Sequence, residues 1–127
     1  MKPLTLEWVE KAEGDFATAG REIRARRSPN FDSACFHSQQ SAEKYLKAVL
    51  QERSIPIPKT HDLLVLLDLL LPSYPTWEIH RPELSELTEY SVQFRYPGES
   101  AGKEQALRAV KLCRSIRAKA RNLLRLD

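Results

Sequence analysis

Residues 36–50, FHSQQSAEKYLKAVL, decide the fold of this chain, because they combine two different patterns. At about 100° per residue, a helix here gathers apolar side chains on one side and polar side chains on the opposite side. The apolar stripe consists of Phe31, Cys35, Ala42, Tyr45, Leu46 and Val49. The polar row consists of His37, Gln40 and Lys44. The stripe predicts a packed helix, and the row is the first candidate for a functional surface.

The composition favours a helical protein with one domain, residues 1–127. A chain of 127 residues can bury about two thirds of its unfolded surface. Only four glycines, together with abundant Ala, Leu, Glu, Lys and Arg, favour helices. No apolar run approaches the roughly 18–20 residues needed to cross a bilayer, and the first residues lack the apolar core of a signal peptide. We therefore expect a cytoplasmic protein that does not contact a membrane.

Apolar periodicity predicts four helices besides the one that contains residues 36–50, which should run from about 32 to 53. The others are predicted over 5–26, from about 60 to 71, over about 83–94, and from about 101 onward. Thr60 and Ser100 are the expected N-caps of the third and last helices. The third helix, LLVLLDLLL, is apolar nearly all round and should be the most buried element. Residues 72–82 contain three prolines and should be irregular. The predicted fold is all-α, an up-and-down bundle of four long helices and a shorter fifth.

Neither the cysteines nor the histidines have the spacing of metal ligands. The chain has no Cys-x-x-Cys or His-x-x-x-His pair, and its three histidines lie far apart in sequence. Cys35 and Cys113 both fall in apolar stripes, where a free thiol behaves as a small hydrophobic group. We expect core thiols, although the sequence leaves a disulfide between them open. No metal or cofactor is expected.

Charge is distributed unevenly along the chain. Residues 103–127 contain eight Lys and Arg against two acids, a net charge of +6, which leaves −3 for the first 102 residues. A basic last helix could bind RNA, an acidic partner or the phosphates of a nucleotide. The same charges are also compatible with a solvated face, so both interpretations stay open.

Two groups of polar residues lie on or beside predicted helices. His37, Gln40 and Lys44 could hold a phosphate or a base edge, or could form a solvated face or hydrogen bonds to a neighbouring helix or second subunit. His61 and Asp62 open the third helix, where backbone N–H groups and the helix dipole favour an anion. Asp62 could instead serve the first turn of the helix, and His61 could cover its end. The residue types alone do not decide between binding and structure.

A third candidate is the turn after the fourth helix. Arg95 could hold a phosphate through two parallel hydrogen bonds, and Tyr96 could stack on a base. The alternative is a surface arginine with Tyr96 packed against the bundle. No glycine-rich phosphate loop, Gly-x-Ser-x-Gly sequence or paired Cys and His is present. The sequence therefore predicts no catalytic residues.

Several of these segments together resemble the HEPN family, the "higher eukaryotes and prokaryotes nucleotide-binding" domains. Residues 36–44 with 46–47 resemble the second helix of that family, and residues 60–63 resemble the start of its third. Residues 95–97, Arg-Tyr-Pro, resemble the segment after its fourth helix. Ala12, Asp15 and Ala19 resemble its first helix. The resemblance covers nearly the whole chain in the correct order.

The resemblance implies an all-α bundle that commonly forms a homodimer or higher oligomer. Many members are encoded beside a minimal nucleotidyltransferase and form a toxin–antitoxin or related two-gene module. Some members bind nucleotides, and others are metal-independent ribonucleases that use an Arg-x4-6-His motif. Here no His follows Arg95, although acid–base cleavage of RNA needs a group that transfers protons near neutral pH. We therefore expect a nucleotide-binding or nucleotidyltransferase-partner module, with a ribonuclease of non-standard active site as the alternative.

Overall fold

The computed structural model describes residues 1–127 and contains five α-helices and no strands. The helices are α1 Pro3–Arg24, α2 Phe31–Glu52, α3 Leu63–Leu70, α4 Arg81–Gln93 and α5 Lys103–Leu123. A 3₁₀ helix, Pro75–His80, joins α3 to α4. The predicted all-α bundle is confirmed. None of the helices combines the length and the apolar composition that crossing a bilayer requires.

Helix α2 is the centre of the bundle, because the other four α-helices all pack against it. Thirteen of its 22 residues are buried, including every member of the predicted apolar stripe except Phe31, which is partly exposed. The expectation that α3 would be the most buried element was wrong. Helix α3 buries Leu63, Leu66, Leu67 and Leu70 but exposes Val65. A short helix at the edge of a bundle has only one side against its neighbours, whereas α2 is surrounded.

Helices α3 and α5 begin later than predicted. The N-cap of α3 is Asp62, whose side chain accepts a hydrogen bond from the backbone N–H of Leu64 at 2.9 Å. Thr60, the predicted cap, instead accepts from the backbone N–H of Asp62 at 3.1 Å. The N-cap of α5 is Gly102 rather than Ser100. In both cases the N-cap lies two residues after the predicted one.

Helix α1 starts earlier than predicted, at Pro3. Proline suits the first turn of a helix, because its missing N–H is not needed there and its φ is already helical. Thr5, predicted near the N-terminus of the helix, is buried and donates to the side chain of Glu52 in α2 at 2.9 Å. The backbone N–H of Lys2 donates to the same oxygen at 3.0 Å. These bonds fasten the start of α1 to the end of α2.

The proline-rich segment before α4 is more ordered than predicted. Its 3₁₀ helix buries Trp77 and His80, whose rings meet edge to face with centroids 4.7 Å apart. Burial lowers the pKa of His80, as does the positive charge of Lys119, whereas Glu83 acts in the opposite direction. The segment therefore contributes both apolar packing and an imidazole held away from water.

Cys35 and Cys113 are free and buried, as predicted for core thiols. Burial raises the pKa of each thiol to about 11. Because the thiolate is the reactive form, we expect both groups to react slowly in the folded protein.

A polar cluster on helix α2

One carboxylate joins two of the predicted residues of α2. Asp15, on the facing side of α1, accepts from His37 Nδ1 at 2.8 Å and from Lys44 Nζ at 2.5 Å. The three side chains are only partly exposed. His37 and Lys44 therefore lie together as the spacing predicts, and the charge of Lys44 is compensated by a partner from another helix.

A second carboxylate, Glu43, organises the other side of the row. Its side chain is only 3% exposed, and it pairs with Lys47 Nζ at 2.9 Å and His61 Nδ1 at 3.0 Å. The amide groups of Gln39 and Gln40 each donate to it at 3.4 Å. Glu43 thus connects the predicted residues Gln40 and His61, which are far apart in sequence.

His61 is held firmly although its ring faces solvent. Gln39 Nε2 donates to the backbone carbonyl of His61 at 2.8 Å, which fixes the segment before α3. The side chain of His61 is 73% exposed, and Nδ1 is the ring nitrogen that bonds to Glu43. This arrangement presents Nε2 to solvent at a fixed position.

The carboxylates also determine what the two imidazoles can do. An ionised carboxylate only accepts hydrogen bonds, so Nδ1 of His37 and of His61 must carry the proton. In each neutral ring Nε2 is then an acceptor, and in the imidazolium it is a donor. Both rings can therefore bond to an N–H or O–H group when neutral, and to a phosphate when protonated.

The remaining predicted residues lie outside this cluster. Asp62 serves the start of α3 as its N-cap, whereas the structural alternative placed it in the first turn. Arg95 and Tyr96 are exposed, and Arg95 lines a cleft of about 380 Å³ together with Phe36. Tyr96 is 64% exposed, so its predicted alternative role of packing against the bundle was wrong. No hydrogen bond joins Arg95 or Tyr96 to the cluster; the nearest link is Phe36, whose ring contacts His37.

Sequence reasoning missed the residues that hold the cluster together. Gln39, Glu43 and Lys47 recur every four residues beside the predicted row, and a Glu followed four residues later by Lys is a recognisable helical pair. This pattern predicts a line of polar side chains on the helix but not that these side chains are buried. Asp15 was identified only through the family resemblance, because a single acidic residue on an amphipathic helix has no distinctive pattern.

A second network joins α1, α2 and α5. Glu13 accepts two hydrogen bonds from Arg117, at 2.6 and 2.7 Å, and a further one from the hydroxyl of Tyr45. Arg121 donates to the same hydroxyl at 3.0 Å. The bonds from Arg117 lower the pKa of Glu13, although burial acts in the opposite direction. Burial, together with the bond to Glu13, raises the pKa of Tyr45 to about 12.

Comparison with known proteins identifies the family. The family model of the HEPN domain matches residues 5–123. This chain belongs to the HEPN domain family. Among solved structures, this HEPN domain is similar to the protein TT1696 from Thermus thermophilus, with 25% identity over 94% of this chain and 97% of that chain and a TM-score of 0.74. No curated protein matches the sequence significantly. The HEPN domain contains no group of three or more His, Cys, Asp or Glu side chains that could hold a metal ion.

Proposed function

We propose that this HEPN domain is a binding module that takes a nucleotide on the polar face of α2 and docks a small nucleotidyltransferase, as part of a toxin–antitoxin-type two-gene system. The main support is the placement of His37, Lys44 and His61, which two carboxylates from two different helices hold in position. Preorganised polar groups lose little conformational entropy when a ligand binds. Their outward-facing atoms match the base edges and phosphates of a nucleotide.

The contacts within the cluster decide which of its groups can bind a nucleotide. Lys44 is already paired with Asp15, so a phosphate gains little from it unless that pair rearranges. The exposed ring of His61 is more accessible to a ligand. Arg95, which has no partner, can add a contact to phosphate, and the exposed Tyr96 can stack on a base.

Calorimetric titration with ATP and UTP tests this site directly. His61→Gln should weaken binding about tenfold or more, because the exposed ring is the most accessible group of the cluster. Lys44→Ala combined with Arg95→Ala tests the phosphate contacts. Lys59→Gln is the matched control, because Lys59 is exposed and unpaired in the loop before α3. Equal affinity in all four proteins would refute the assignment.

Exposed apolar residues beside Arg95 support self-association through this end of the bundle. Phe36 is 40% exposed and Val92 is 54% exposed, and Tyr96 follows in the same region. Large apolar side chains grouped at a surface commonly mark an interaction site. Val92→Glu should convert an oligomer to a monomer in light scattering, whereas Ile79→Glu, at an exposed position in the 3₁₀ helix, should not. A wild-type protein that is monomeric at all concentrations would contradict homodimer formation.

Partner binding has a separate test. The product of the adjacent reading frame, if it is a small nucleotidyltransferase, should co-purify with this HEPN domain when the two are expressed together. Val92→Glu and His61→Gln then report whether the partner uses the apolar end of the bundle or the polar face. Failure of the two proteins to associate would remove the partner from the proposal and leave nucleotide binding to be judged on its own titrations.

The pairing of Glu43 with His61 also favours one specific alternative, a metal-independent ribonuclease. A buried carboxylate that orients an exposed imidazole is an arrangement suited to general base chemistry, and Nε2 of a neutral His61 could accept the proton of a ribose 2′-hydroxyl. Incubation of the purified protein with RNA in EDTA distinguishes the two functions. Cleavage that His61→Ala abolishes would favour the ribonuclease, and intact RNA would favour the binding module.

A further inference from the structure

The polar face of α2 consists of His37, Gln40 and Lys44 with the adjacent His61, and its hydrogen bonds determine which atoms it offers to a ligand. These bonds begin at the backbone carbonyl of His61, which can only accept. Gln39 Nε2 donates to this carbonyl at 2.8 Å, so Gln39 Oε1 is turned toward Gln40. Because Gln39 is 1% exposed, water does not compete for its amide group.

The orientation of the Gln39 amide fixes that of Gln40. Gln40 Nε2 donates to Oε1 of Gln39 at 2.8 Å and to Oε1 of Glu43 at 3.4 Å. Both neighbours are acceptors, so a reversed Gln40 amide would place oxygen against oxygen. The N–H groups of Gln40 are therefore used inside the protein, whereas its Oε1 accepts no hydrogen bond there and is not enclosed. Gln40 thus presents an acceptor to solvent.

His61 presents a second acceptor beside Gln40. Its Nδ1 lies 3.0 Å from the same Oε1 of Glu43 that the Gln40 amide contacts, so the ring and the amide are neighbours. Because the carboxylate accepts from Nδ1–H, Nε2 of the neutral ring carries a free lone pair. The ring is 73% exposed, so this lone pair is accessible. His37 repeats the pattern, since Asp15 lies 2.8 Å from its Nδ1.

Three acceptors on one surface favour a ligand that supplies hydrogen-bond donors. Lys44 adds a donor to this surface, but Asp15 already accepts from it at 2.5 Å. Among nucleotide bases, the amino group of adenine or cytosine supplies two N–H donors, whereas a keto oxygen in its place is an acceptor. A keto oxygen would face the lone pairs of Gln40 and His61, and these groups would lose their hydrogen bonds to water without replacement.

We propose that the polar face of α2 selects nucleotides whose base carries an amino group at purine C6 or pyrimidine C4 over those with a keto oxygen there. Gln40 Oε1 and His61 Nε2 accept from the amino group. Gln39 is a positioning residue, because it orients the Gln40 amide but is buried away from the ligand. This assignment rests on the nucleotide binding proposed above and adds the class of base to it.

Calorimetric titration at about pH 8, where an imidazole is ordinarily neutral, tests the preference with matched pairs of ligands. ATP has an amino group at purine C6 where ITP has a keto oxygen, and CTP and UTP differ in the same way at pyrimidine C4. Each pair carries the same phosphates, so a difference in affinity reports on the base alone. The wild-type protein should bind ATP and CTP about tenfold more tightly than ITP and UTP.

Three variants show whether the preference comes from these atoms. Gln40→Met keeps the length of the side chain but removes its acceptor, so the affinities for ATP and ITP should come close together. Gln39→Met allows the Gln40 amide to reverse and should also narrow the difference. Gln51→Met is the matched control, because Gln51 lies on the same helix outside the polar face, and it should keep the wild-type preference. The comparison in the wild-type protein decides the proposal even if Gln39→Met does not fold.

The possible outcomes separate this preference from nucleotide binding itself. Equal affinity for ATP and ITP, or tighter binding of ITP, would overturn the preference and leave nucleotide binding intact. Absence of binding by all four nucleotides would refute the proposed function and the preference with it. A preference that is unchanged in Gln40→Met, or lost equally in Gln51→Met, would overturn the assignment to Gln40.

Discussion

Replacement of Glu43 by glutamine tests how far the polar cluster depends on one buried charge. Glu43 is 3% exposed and its partner Lys47 is 9% exposed, with Nζ and Oε2 2.9 Å apart. Lys47 also lies 5.6 Å from the centre of the Trp8 ring, so it cannot easily turn toward water. Glu43→Gln therefore leaves a buried ammonium without its counter-charge.

The expected cost is large. Removing one partner of a buried ion pair typically destabilises a protein by about 3–5 kcal/mol. The glutamine oxygen can still accept one hydrogen bond, so we expect a loss near the lower end, about 3 kcal/mol. Since small domains are stable by about 5–15 kcal/mol, the midpoint of urea denaturation, followed by circular dichroism, should fall markedly.

A double variant separates loss of the charge pair from loss of packing. Glu43→Gln combined with Lys47→Met removes both charges and keeps an unbranched side chain against Trp8, so much of the lost stability should return. Glu86→Gln is the control, because it breaks an exposed pair with Arg108 and should change the midpoint little. The reasoning is refuted if Glu43→Gln costs less than about 1 kcal/mol, or if the double variant is no more stable than the single one.

Glycines, His80 and the thiols give further tests. Gly14→Ala should raise the free energy of unfolding by about 0.5–1 kcal/mol, because no atom lies within 4 Å of the new Cβ. Gly98→Ala should lower the free energy of unfolding, because φ at this position is +93°. Urea denaturation measures both changes. Burial lowers the pKa of His80 below 6.5, so the unfolded state binds the proton more readily than the folded state. The free energy of unfolding should therefore decline as the pH falls below about 6.5. This decline should be smaller in His80→Gln, and an identical decline would contradict the assignment. Cys35 and Cys113 should not react with a thiol reagent at about pH 8 until urea is added, and rapid reaction of either in the native protein would contradict its place in the core.

Much of the fold could be predicted because helix periodicity is a local property. The apolar stripe that contains Cys35, Tyr45 and Leu46 is buried as expected, and the same pattern recurs in α1, α4 and α5. Which helix is the most buried could not be predicted in this way. Helix α3 is more apolar than α2, but α2 is surrounded by four helices and α3 is not. The hydrophobicity of a segment shows that it can be buried, whereas its position in the bundle determines how much of it is buried.

The candidate site was predictable in part. The spacing of His37 and Lys44 was sufficient to place them on one face, and the residue types around His61 marked the start of a helix. The exposure of Arg95 and Tyr96, and their separation from the cluster, depend on how the turn after α4 lies against the bundle. A sequence indicates which side chains share a helix face but not which faces meet.

The sequence by itself determined that this protein is a helical bundle of the HEPN family with a polar row opposite a packing stripe on its second helix. Only the tertiary structure decided that Asp15, 22 residues before His37, would hold that ring, and that Glu43 would be buried beneath His61. It also brought Glu13 to Arg117 across 104 residues. The physical reason is that the faces of a helix follow from its local periodicity. Which residues on different helices become partners depends on the packing of the whole molecule, because packing minimises exposed apolar area and unpaired buried charge over all the helices at once.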